Sequence, residues 1–401
     1  MKNRLRQYWQ NKSVTYRVSL MVIVSSLFIA AVADLIANEK PLFCICGGRW
    51  HFPAWRDYGE YTGLLRKTNA FDYTGCTHRL SAPVPFSPST IDPAGSGYLS
   101  PAGGRALSGH KHWLGTDALG RDVLAGMIHG TRYAWLIGLL STLLAGIPGT
   151  FAGMAMGYWK DHKLKLTLFQ GIGLVLFLLL WMYEFLMLLI VGNGIMRILS
   201  LIVWTAFFIW VYSKLLKQGD QAGPRTFSIP VDSMLMRFID YFESFPRLFL
   251  MMALLVFLAR PSGALLIVLI AFIRWPLFAQ VARSETLREG SLNYVLAAEN
   301  LGLPWYRILT RHIWPNIRST LMVTALFSVS TAVLLEASLS FIGLGLKLES
   351  VTWGSILNEG RQYLPGWWLS VFPGFAMFIL LLSLHWILDE KSRSGGHREG
   401  W

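Results

Sequence analysis

The most regular feature of the sequence is a series of long apolar runs separated by shorter polar segments. A helix of about twenty residues rises 1.5 Å per residue and crosses a hydrocarbon core of roughly 30 Å, so each long run predicts a membrane span. Such runs recur from the start of the chain to its end. The predicted spans are 18–37, 133–158, about 238–259, 264–283, about 319–340 and 367–388, with two further runs at 166–191 and 195–216.

The two further runs are joined by Val191-Gly-Asn-Gly194 and predict a helical hairpin in the membrane. Glu184 falls inside the first run, where a bare charge is costly, so we expect it to be protonated or to face a polar partner. Arg274-Trp275-Pro276 lies inside another apolar run and predicts a break in that helix.

Composition agrees with a membrane protein. The chain is 53% hydrophobic and only 15% charged, whereas soluble proteins are about 25% charged. The formal charge of +13 raises the possibility of nucleic-acid binding. The basic residues, however, cluster in short segments beside apolar runs, which is the pattern that sets membrane orientation, so no nucleic-acid partner is expected.

The same charge pattern predicts topology. Residues 1–17 are basic and contain no acid, the first apolar run lacks a convincing cleavage site, and we expect an uncleaved anchor with both termini in the cytoplasm. The predicted organisation is a cytoplasmic tail 1–17, first span 18–37, extracytoplasmic region 38–132, second span 133–158, inserted hairpin with linkers 159–233, four spans within 234–388 around a cytoplasmic loop 284–318, and a tail 389–401.

The long polar region 38–132 is rich in Gly, Pro, Ser and Tyr and is expected to be irregular, with some strand in Arg49–Trp55. It holds all three cysteines. In an oxidising compartment Cys76 could pair with either Cys44 or Cys46, and the sequence leaves that choice open.

No catalytic, cofactor or metal site is predicted. Residues Gly104–Lys111 nearly spell a phosphate-binding loop, but His110 intrudes, and His112 replaces the hydroxyl residue that would hold Mg²⁺. We expect the two histidines to be solvated rather than metal ligands. The chain is therefore not expected to be an enzyme.

One basic interruption, 294–316, separates two apolar runs near the C-terminal end. Ala297 and Ala298 are followed by Gly302 and a helix-breaking proline, and then by basic and aromatic residues. This order predicts a short helix with a small-residue face, a turn, and a second amphipathic piece at a membrane surface.

This stretch resembles the "EAA" loop of permease subunits in bacterial binding-protein-dependent ABC importers. The match runs Ala297-Ala298-x3-Gly302 and ends at Arg311-His-Ile-Trp-Pro-Asn316, with Leu296 and Trp314 as departures. The resemblance implies that the loop docks an ATPase subunit. The residues it assigns to that role are Ala297, Ala298, Glu299, Gly302, Arg307, Arg311, His312 and Pro315.

A second block, Gly115-Thr-Asp-Ala-Leu-Gly-Arg-Asp122, is similar to one that precedes the second span in dipeptide, oligopeptide and nickel importer permeases. Its residues are Gly115, Thr116, Asp117, Gly120, Arg121 and Asp122. The aspartates can cap backbone N–H groups, and the glycines allow tight turns. We therefore expect structural anchoring rather than a paired-carboxylate hydrolase.

Two further segments resemble the same importers: 335–345 with 350–355, and 34–42, which looks like the peptide and microcin C type group. Within the second predicted span, Gly149, Gly153 and Gly157 lie four apart. They are expected to let a neighbouring helix approach closely.

Together these features predict an all-α polytopic membrane protein: a six-helix ABC importer permease core plus an inserted hairpin, about eight spans in all. The resemblance implies a bacterial inner-membrane permease that carries peptides or similar solutes. Its expected partners are a second permease forming a heterodimeric pore, two ATPase subunits, an extracytoplasmic solute-binding protein and the lipid bilayer. The alternative is an ion-coupled secondary transporter that uses Glu184 and Arg274, and a membrane enzyme ranks last.

Overall fold

The computed structural model describes residues 13–46, 49–53, 77–101, 109–160, 165–167, 203, 206, 226–228, 230–258, 262–345 and 351–396. Over these residues the chain is mostly helical, and five helices are long and apolar enough to cross a membrane. They are Val14–Ala31, Val123–Trp159, Gly263–Gly290, Trp305–Ile342 and Trp367–Glu390, and Arg247–Phe257 is a shorter apolar helix.

The elements in chain order are α1 (Val14–Ala31), α2 (Ala33–Ile36), β1 (Phe43–Cys46), β2 (Arg49–His51), β3 (Thr77–Leu80), α3 (Val123–Trp159), β4 (Lys165–Thr167), β5 (Thr226–Ser228), α4 (Val231–Glu243), α5 (Arg247–Leu258), α6 (Gly263–Gly290), α7 (Asn293–Asn300), α8 (Trp305–Arg307), a π-helix (Ile308–Ile313), α9 (Trp314–Ile342), α10 (Trp353–Gln362) and α11 (Trp367–Gly396), with a 3₁₀ turn at Pro93–Gly95.

Three differences from the predicted spans involve α3, the pair α4 and α5, and α6. Helix α3 begins at Val123 rather than at Tyr133, because the Asp122 carboxylate accepts a hydrogen bond from the Ala125 amide and caps the earlier start. The single span predicted near 238–259 is two helices, α4 and α5, which meet at Pro246. The predicted break at Pro276 was wrong, because α6 continues through this proline, as membrane helices commonly allow.

The predicted hairpin, 166–216, lies almost entirely outside the described residues, as does Glu184, so the count of about eight spans stays a prediction. Strands β4 and β5 flank that stretch and pair antiparallel, with Lys165 opposite Ser228. The pairing places Thr167 opposite Thr226.

The region predicted to be irregular contains a small antiparallel sheet with strand order β2-β1-β3. Strand β2 occupies Arg49–His51, the first part of the stretch predicted as strand, and Cys44 of β1 pairs with His51. Cys76 lies outside the described residues, so the predicted disulfide stays a prediction.

The chain divides into two compact units. Unit 1 comprises the described residues within 1–144, 260–271 and 323–401. Its core joins apolar side chains of α1, α3, α9, α10 and α11, among them Ile23, Trp135, Val333 and Leu384. Indole groups also bridge these helices through hydrogen bonds: Trp135 donates to Ser26 Oγ at 3.1 Å, and Trp353 donates to the Met127 carbonyl at 3.0 Å.

Unit 2 comprises the described residues within 145–259 and 272–322. Here Gly149, Gly153 and Gly157 of α3 lie directly against α6. A Cβ atom at Gly153 would come within 2.2 Å of the Ala279 carbonyl oxygen, and one at Gly157 within 2.8 Å of the Arg283 carbonyl oxygen. At Gly149 the Trp275 carbonyl oxygen would be 2.6 Å away. The backbones of α3 and α6 therefore meet along a seam that only glycine permits.

Candidate functional site

The stretch predicted as a cytoplasmic loop, 284–318, is largely helical. Helix α6 runs on to Gly290, α7 follows at Asn293, and a nearly continuous helix resumes at Trp305. We call residues 291–316 the interhelical segment. It lies wholly within unit 2.

The turn after α7 is a Schellman motif centred on Gly302. The Leu303 amide donates to the Ala298 carbonyl at 3.2 Å, and the Gly302 amide donates to the Glu299 carbonyl at 2.9 Å. Gly302 has φ of +73°, a left-handed conformation that glycine adopts without strain. No atom lies within 4 Å of a Cβ built there, so the backbone angle, and not lack of space, favours glycine.

The inner face of α7 anchors the segment to the core of unit 2. Val295 and Ala298 are buried, and they cluster with Ile308, Leu309 and Ile313. Ala297, by contrast, is exposed. The two alanines expected to form one bare face therefore lie on different sides of α7: Ala298 packs into the core, and Ala297 is exposed.

A π-helix, Ile308–Ile313, joins α8 to α9, with the Trp314 amide donating to the Leu309 carbonyl. Its wider turn carries Ile308, Leu309 and Ile313 into the core and leaves Arg311 on the outside. His312 is half-buried, and Arg307 and Pro315 are exposed. π-Helical turns are rare and often mark functional sites.

The outer surface of the segment carries apolar and aromatic side chains together with two arginines. Leu301 is 81% exposed, and Trp305 and Tyr306 are about half exposed at 49% and 52%. We call this the outer face; it consists of Leu296, Ala297, Leu301, Trp305, Tyr306, Arg307, Arg311, Trp314 and Pro315. Trp, Tyr and Arg are the residue types that most often dominate binding energy at protein interfaces.

A polar brace holds the segment in place around Glu289, which is buried at the end of α6. Tyr294 Oη donates to the Glu289 carboxylate at 2.5 Å, and Asn316 Nδ2 donates to Glu289 at 3.2 Å and to the His312 carbonyl at 2.9 Å. Burial, followed by the hydrogen bond to Glu289, raises the pKa of Tyr294 to about 12, so its hydroxyl remains a donor. The brace links α6, α7 and α9.

The end of α3 supports the segment from another side. The Tyr158 hydroxyl is hydrogen-bonded to Glu299, and the Trp159 and Trp305 rings lie with centroids 5.4 Å apart. Glu299 therefore contacts its own chain through Tyr158.

Sequence reasoning missed Glu289 and Leu301. The signals were present, since Glu289 is an acid directly beside Arg288 at the end of an apolar run, and Leu301 is an apolar residue directly before the turn glycine.

The second motif, 115–122, lies in unit 1 and is folded on itself. Asp117 Oδ1 accepts from the Leu119 and Arg121 amides at 2.9 and 2.8 Å, and Arg121 bonds both Asp117 and, at 2.6 Å, Glu359 of α10. Burial, then the Asp117 charge, raises the pKa of Glu359 to about 7, although the Arg121 guanidinium acts in the opposite direction.

The glycines and threonine of this motif allow close approach. Gly115 and Gly120 have φ of +81° and +83°, and a Cβ at Gly120 would lie 2.2 Å from the Asp92 carbonyl oxygen. Thr116 Oγ1 donates to the Gly95 carbonyl at 2.6 Å, and its own carbonyl accepts from the Trp368 indole of α11 at 3.2 Å.

The expectation that His112 is solvated was wrong. Its side chain is fully buried between two carboxylates, with Nδ1 at 2.9 Å from Asp122 and Nε2 at 3.2 Å from Asp92. The pKa of His112 is raised: burial acts to lower it, and the hydrogen bonds to Asp122 and Asp92 more than reverse that effect. Among the described residues, no group of three or more His, Cys, Asp or Glu side chains is placed to hold a metal ion.

Comparison with known proteins yields a consistent family. Residues 221–390 match the family described as "Binding-protein-dependent transport system inner membrane component". The chain is 26% identical to the "Inner membrane ABC transporter permease protein YejE" of Escherichia coli K12, over 98% of this chain and 93% of that protein. It is 25% identical to the "Peptidoglycan transport system permease protein YejE" of Agrobacterium fabrum, over 94% and 88%.

A third relative is the "Di/tripeptide transport system permease protein DppC" of Pseudomonas aeruginosa, which is 26% identical over 69% of each chain. These matches confirm the resemblance found in the sequence. They favour an importer permease over an ion-coupled transporter.

Proposed function

We propose that this chain, a permease subunit of the binding-protein-dependent ABC importer type, carries peptides or closely similar solutes and docks its ATPase through the interhelical segment. The names of the relatives support a peptide cargo, because di/tripeptide permeases and a peptidoglycan permease are among them. The membrane is the bacterial inner membrane, with the segment and both termini in the cytoplasm. A second permease, two ATPases and an extracytoplasmic binding protein complete the transporter.

The observation that carries the docking assignment is the outer face. Leu301, Trp305 and Tyr306 expose large apolar surfaces beside Arg307 and Arg311. Such surfaces usually mark an interaction site, and clustered aromatic and arginine residues suit a groove on a protein partner. The segment behind this face is well anchored, so little ordering is required on binding.

The brace supplies the mechanical part of the proposal. Because Glu289, Tyr294 and Asn316 tie α7 to the end of α6 and the start of α9, a force on the outer face reaches both helices together. Closure of the ATPases around ATP would then shift the permease between inward-open and outward-open states, through a difference in binding free energy between the two states.

Affinity purification of the tagged chain from its native membranes tests the assignment. We expect ATPase activity to co-purify with the wild type and to be lost with Gly302→Arg, while membrane insertion is retained. No atom of the chain lies within 4 Å of a Cβ at this position. Arginine also strains the left-handed turn, where φ is +73°, so loss of ATPase reports a collision with the partner only when an asparagine control at the same position retains the activity.

Gly302→Asn is the matched control, because asparagine tolerates the left-handed conformation and has a short side chain. We expect this variant to keep most of the ATPase. Wild-type protein without ATPase in mild detergent, or full activity with Gly302→Arg, would refute docking through this segment.

A further inference from the structure

A group of charged residues lies on three consecutive helices of unit 2, outside the interhelical segment. It consists of Glu243 at the end of α4, Arg247 at the start of α5, and Arg274 within α6. Neither the family match nor the names of the relatives assigns these residues a role.

Their depth follows from helix geometry. Arg247 opens the 12-residue helix α5, and Arg274 is the twelfth residue of α6, which begins just after α5 ends. At 1.5 Å per residue, both lie about 17 Å from the connection between these helices. The predicted topology places this connection at the outer surface of a hydrocarbon core roughly 30 Å thick, and on that topology both arginines lie near its middle.

The group carries a net positive charge. Glu243 is bonded on both carboxylate oxygens, to Arg247 Nη2 at 3.4 Å and to Gln280 Nε2 at 3.1 Å. Arg274 is 2% exposed, and the charges of Arg247 and Glu243 both act on it. Two cations and one anion leave a charge of +1, and Arg274 adds to the positive potential around Arg247.

Arg247 is the member that a ligand can reach. Its side chain is 45% exposed and that of Glu243 is 30% exposed. A half-exposed arginine at this depth is costly against lipid, and intramembrane charges normally face protein or a water-filled path. Phe249 and Phe257 of α5, exposed by 70% and 78%, provide a separate apolar face.

We propose that Arg247, supported by the positive charge of Arg274, binds an anionic group of the cargo in the translocation path, namely the C-terminal carboxylate of a peptide. This inference rests on the proposed function as a peptide importer. Arginine is well suited to the task, because its planar guanidinium pairs with a carboxylate through two parallel hydrogen bonds. The remaining hydrogen bond to Glu243 is long, which leaves Arg247 available for exchange.

Uptake of tri-alanine and of its C-terminal amide by the assembled transporter tests the ligand. Arg247→Gln is expected to lower tri-alanine uptake about tenfold, as loss of a charge-assisted pair implies, with less than a twofold effect on the amide. Arg247→Lys should restore part of the uptake. Arg237→Gln, at an exposed arginine of α4, is the matched control and should leave the uptake of both substrates unchanged.

Cysteine labelling tests whether position 247 lies in the path of the peptide. This test does not depend on how the binding protein delivers the peptide amide. In the Arg247→Cys variant, a negatively charged methanethiosulfonate reagent should react above the wild-type background, and tri-alanine should slow the reaction. The comparison variant is Phe257→Cys on the apolar face. Reaction no faster than that of Phe257→Cys, or an equal loss of both peptides with Arg247→Gln, would overturn the proposal.

Different measurements test the proposed function and the anion site at Arg247. Co-purifying ATPase activity reports the proposed function and should be unchanged in Arg247→Gln, Arg247→Cys and Arg247→Lys. Retained ATPase with no carboxylate selectivity and no labelling would refute the anion site alone.

Discussion

The 115–122 motif and the interhelical segment are both short glycine-containing stretches with charged residues, yet the structure uses them in opposite ways. In the first, Asp117, Arg121 and Asp122 are buried and bonded to one another or to backbone amides. In the second, the core receives apolar residues such as Val295 and Ile308, and Arg307 and Arg311 remain exposed.

The difference separates a motif whose charges are satisfied within its own fold from one whose large side chains remain exposed. Buried charges must be satisfied internally, because an unpaired one costs several kcal/mol. Around 115–122 that requirement is met through Glu359, Asp92 and His112. The outer face has no such requirement, because its arginines and large side chains remain exposed.

Removing the central cation should separate the two regions most strongly. Arg121→Met leaves the Asp117 and Glu359 carboxylates buried without their partner and should lower the stability of the protein by about 3–5 kcal/mol. Arg311→Met removes an exposed arginine and should leave stability nearly unchanged. Thermal unfolding in detergent provides the measurement, and equal shifts in Tm for the two variants would contradict the contrast.

The next effect concerns partner binding. Leu301→Asp places a charge at the most exposed apolar position of the outer face and should reduce co-purified ATPase at least tenfold, the scale of an interface hot spot of about 2 kcal/mol. Leu364→Asp is the matched control, because Leu364 is 84% exposed in unit 1. Tm should not change in either variant, and loss of ATPase in both would argue against a specific surface.

The pH dependence of stability should come from unit 1. The folded-state pKa of Glu359 is about 7 against an ordinary value of 4.5, so its contribution is fully present below pH 4.5 and is lost as pH rises through about 7. Tm should therefore fall as pH rises from 4.5 to 8. The corresponding loss in the free energy of unfolding is of order 2 kcal/mol. Glu359→Gln should flatten the profile, and an unchanged slope would show that other groups cause it.

The smallest expected effect is in the brace. Tyr294→Phe removes hydrogen bonds to Glu289 and Asn316, leaves the ring in place, and should cost about 1 kcal/mol. We expect uptake to fall a few-fold while ATPase still co-purifies, because the outer face is intact but less firmly tied to α6 and α9. Tyr241→Phe, at a tyrosine that is 73% exposed, is the control. Loss of ATPase with Tyr294→Phe would mean that the brace shapes the docking face itself.

Much of this arrangement could be predicted from local sequence. The apolar runs that give α6, α9 and α11 are long and uninterrupted by charge pairs, and Gly302 was expected at a turn because glycine alone adopts positive φ without strain. Asp122 was expected to cap backbone amides, and it accepts the Ala125 amide at 2.7 Å.

Other features depend on residues far apart in the chain. The burial of His112 requires Asp92 and Asp122 to close around it, and the ion pair of Arg121 requires Glu359. Ala297 is exposed and Ala298 is buried because of which side of α7 packs against the π-helix. No local pattern specifies these contacts.

The sequence by itself predicted a helical membrane protein that resembles importer permeases, because hydrophobic length and short motifs act over neighbouring residues. Only the tertiary structure decided which motif is buried and which remains exposed. The physical reason is that burial and charge pairing depend on contacts between distant residues, such as Arg121 with Glu359, and those contacts exist only once the helices have packed.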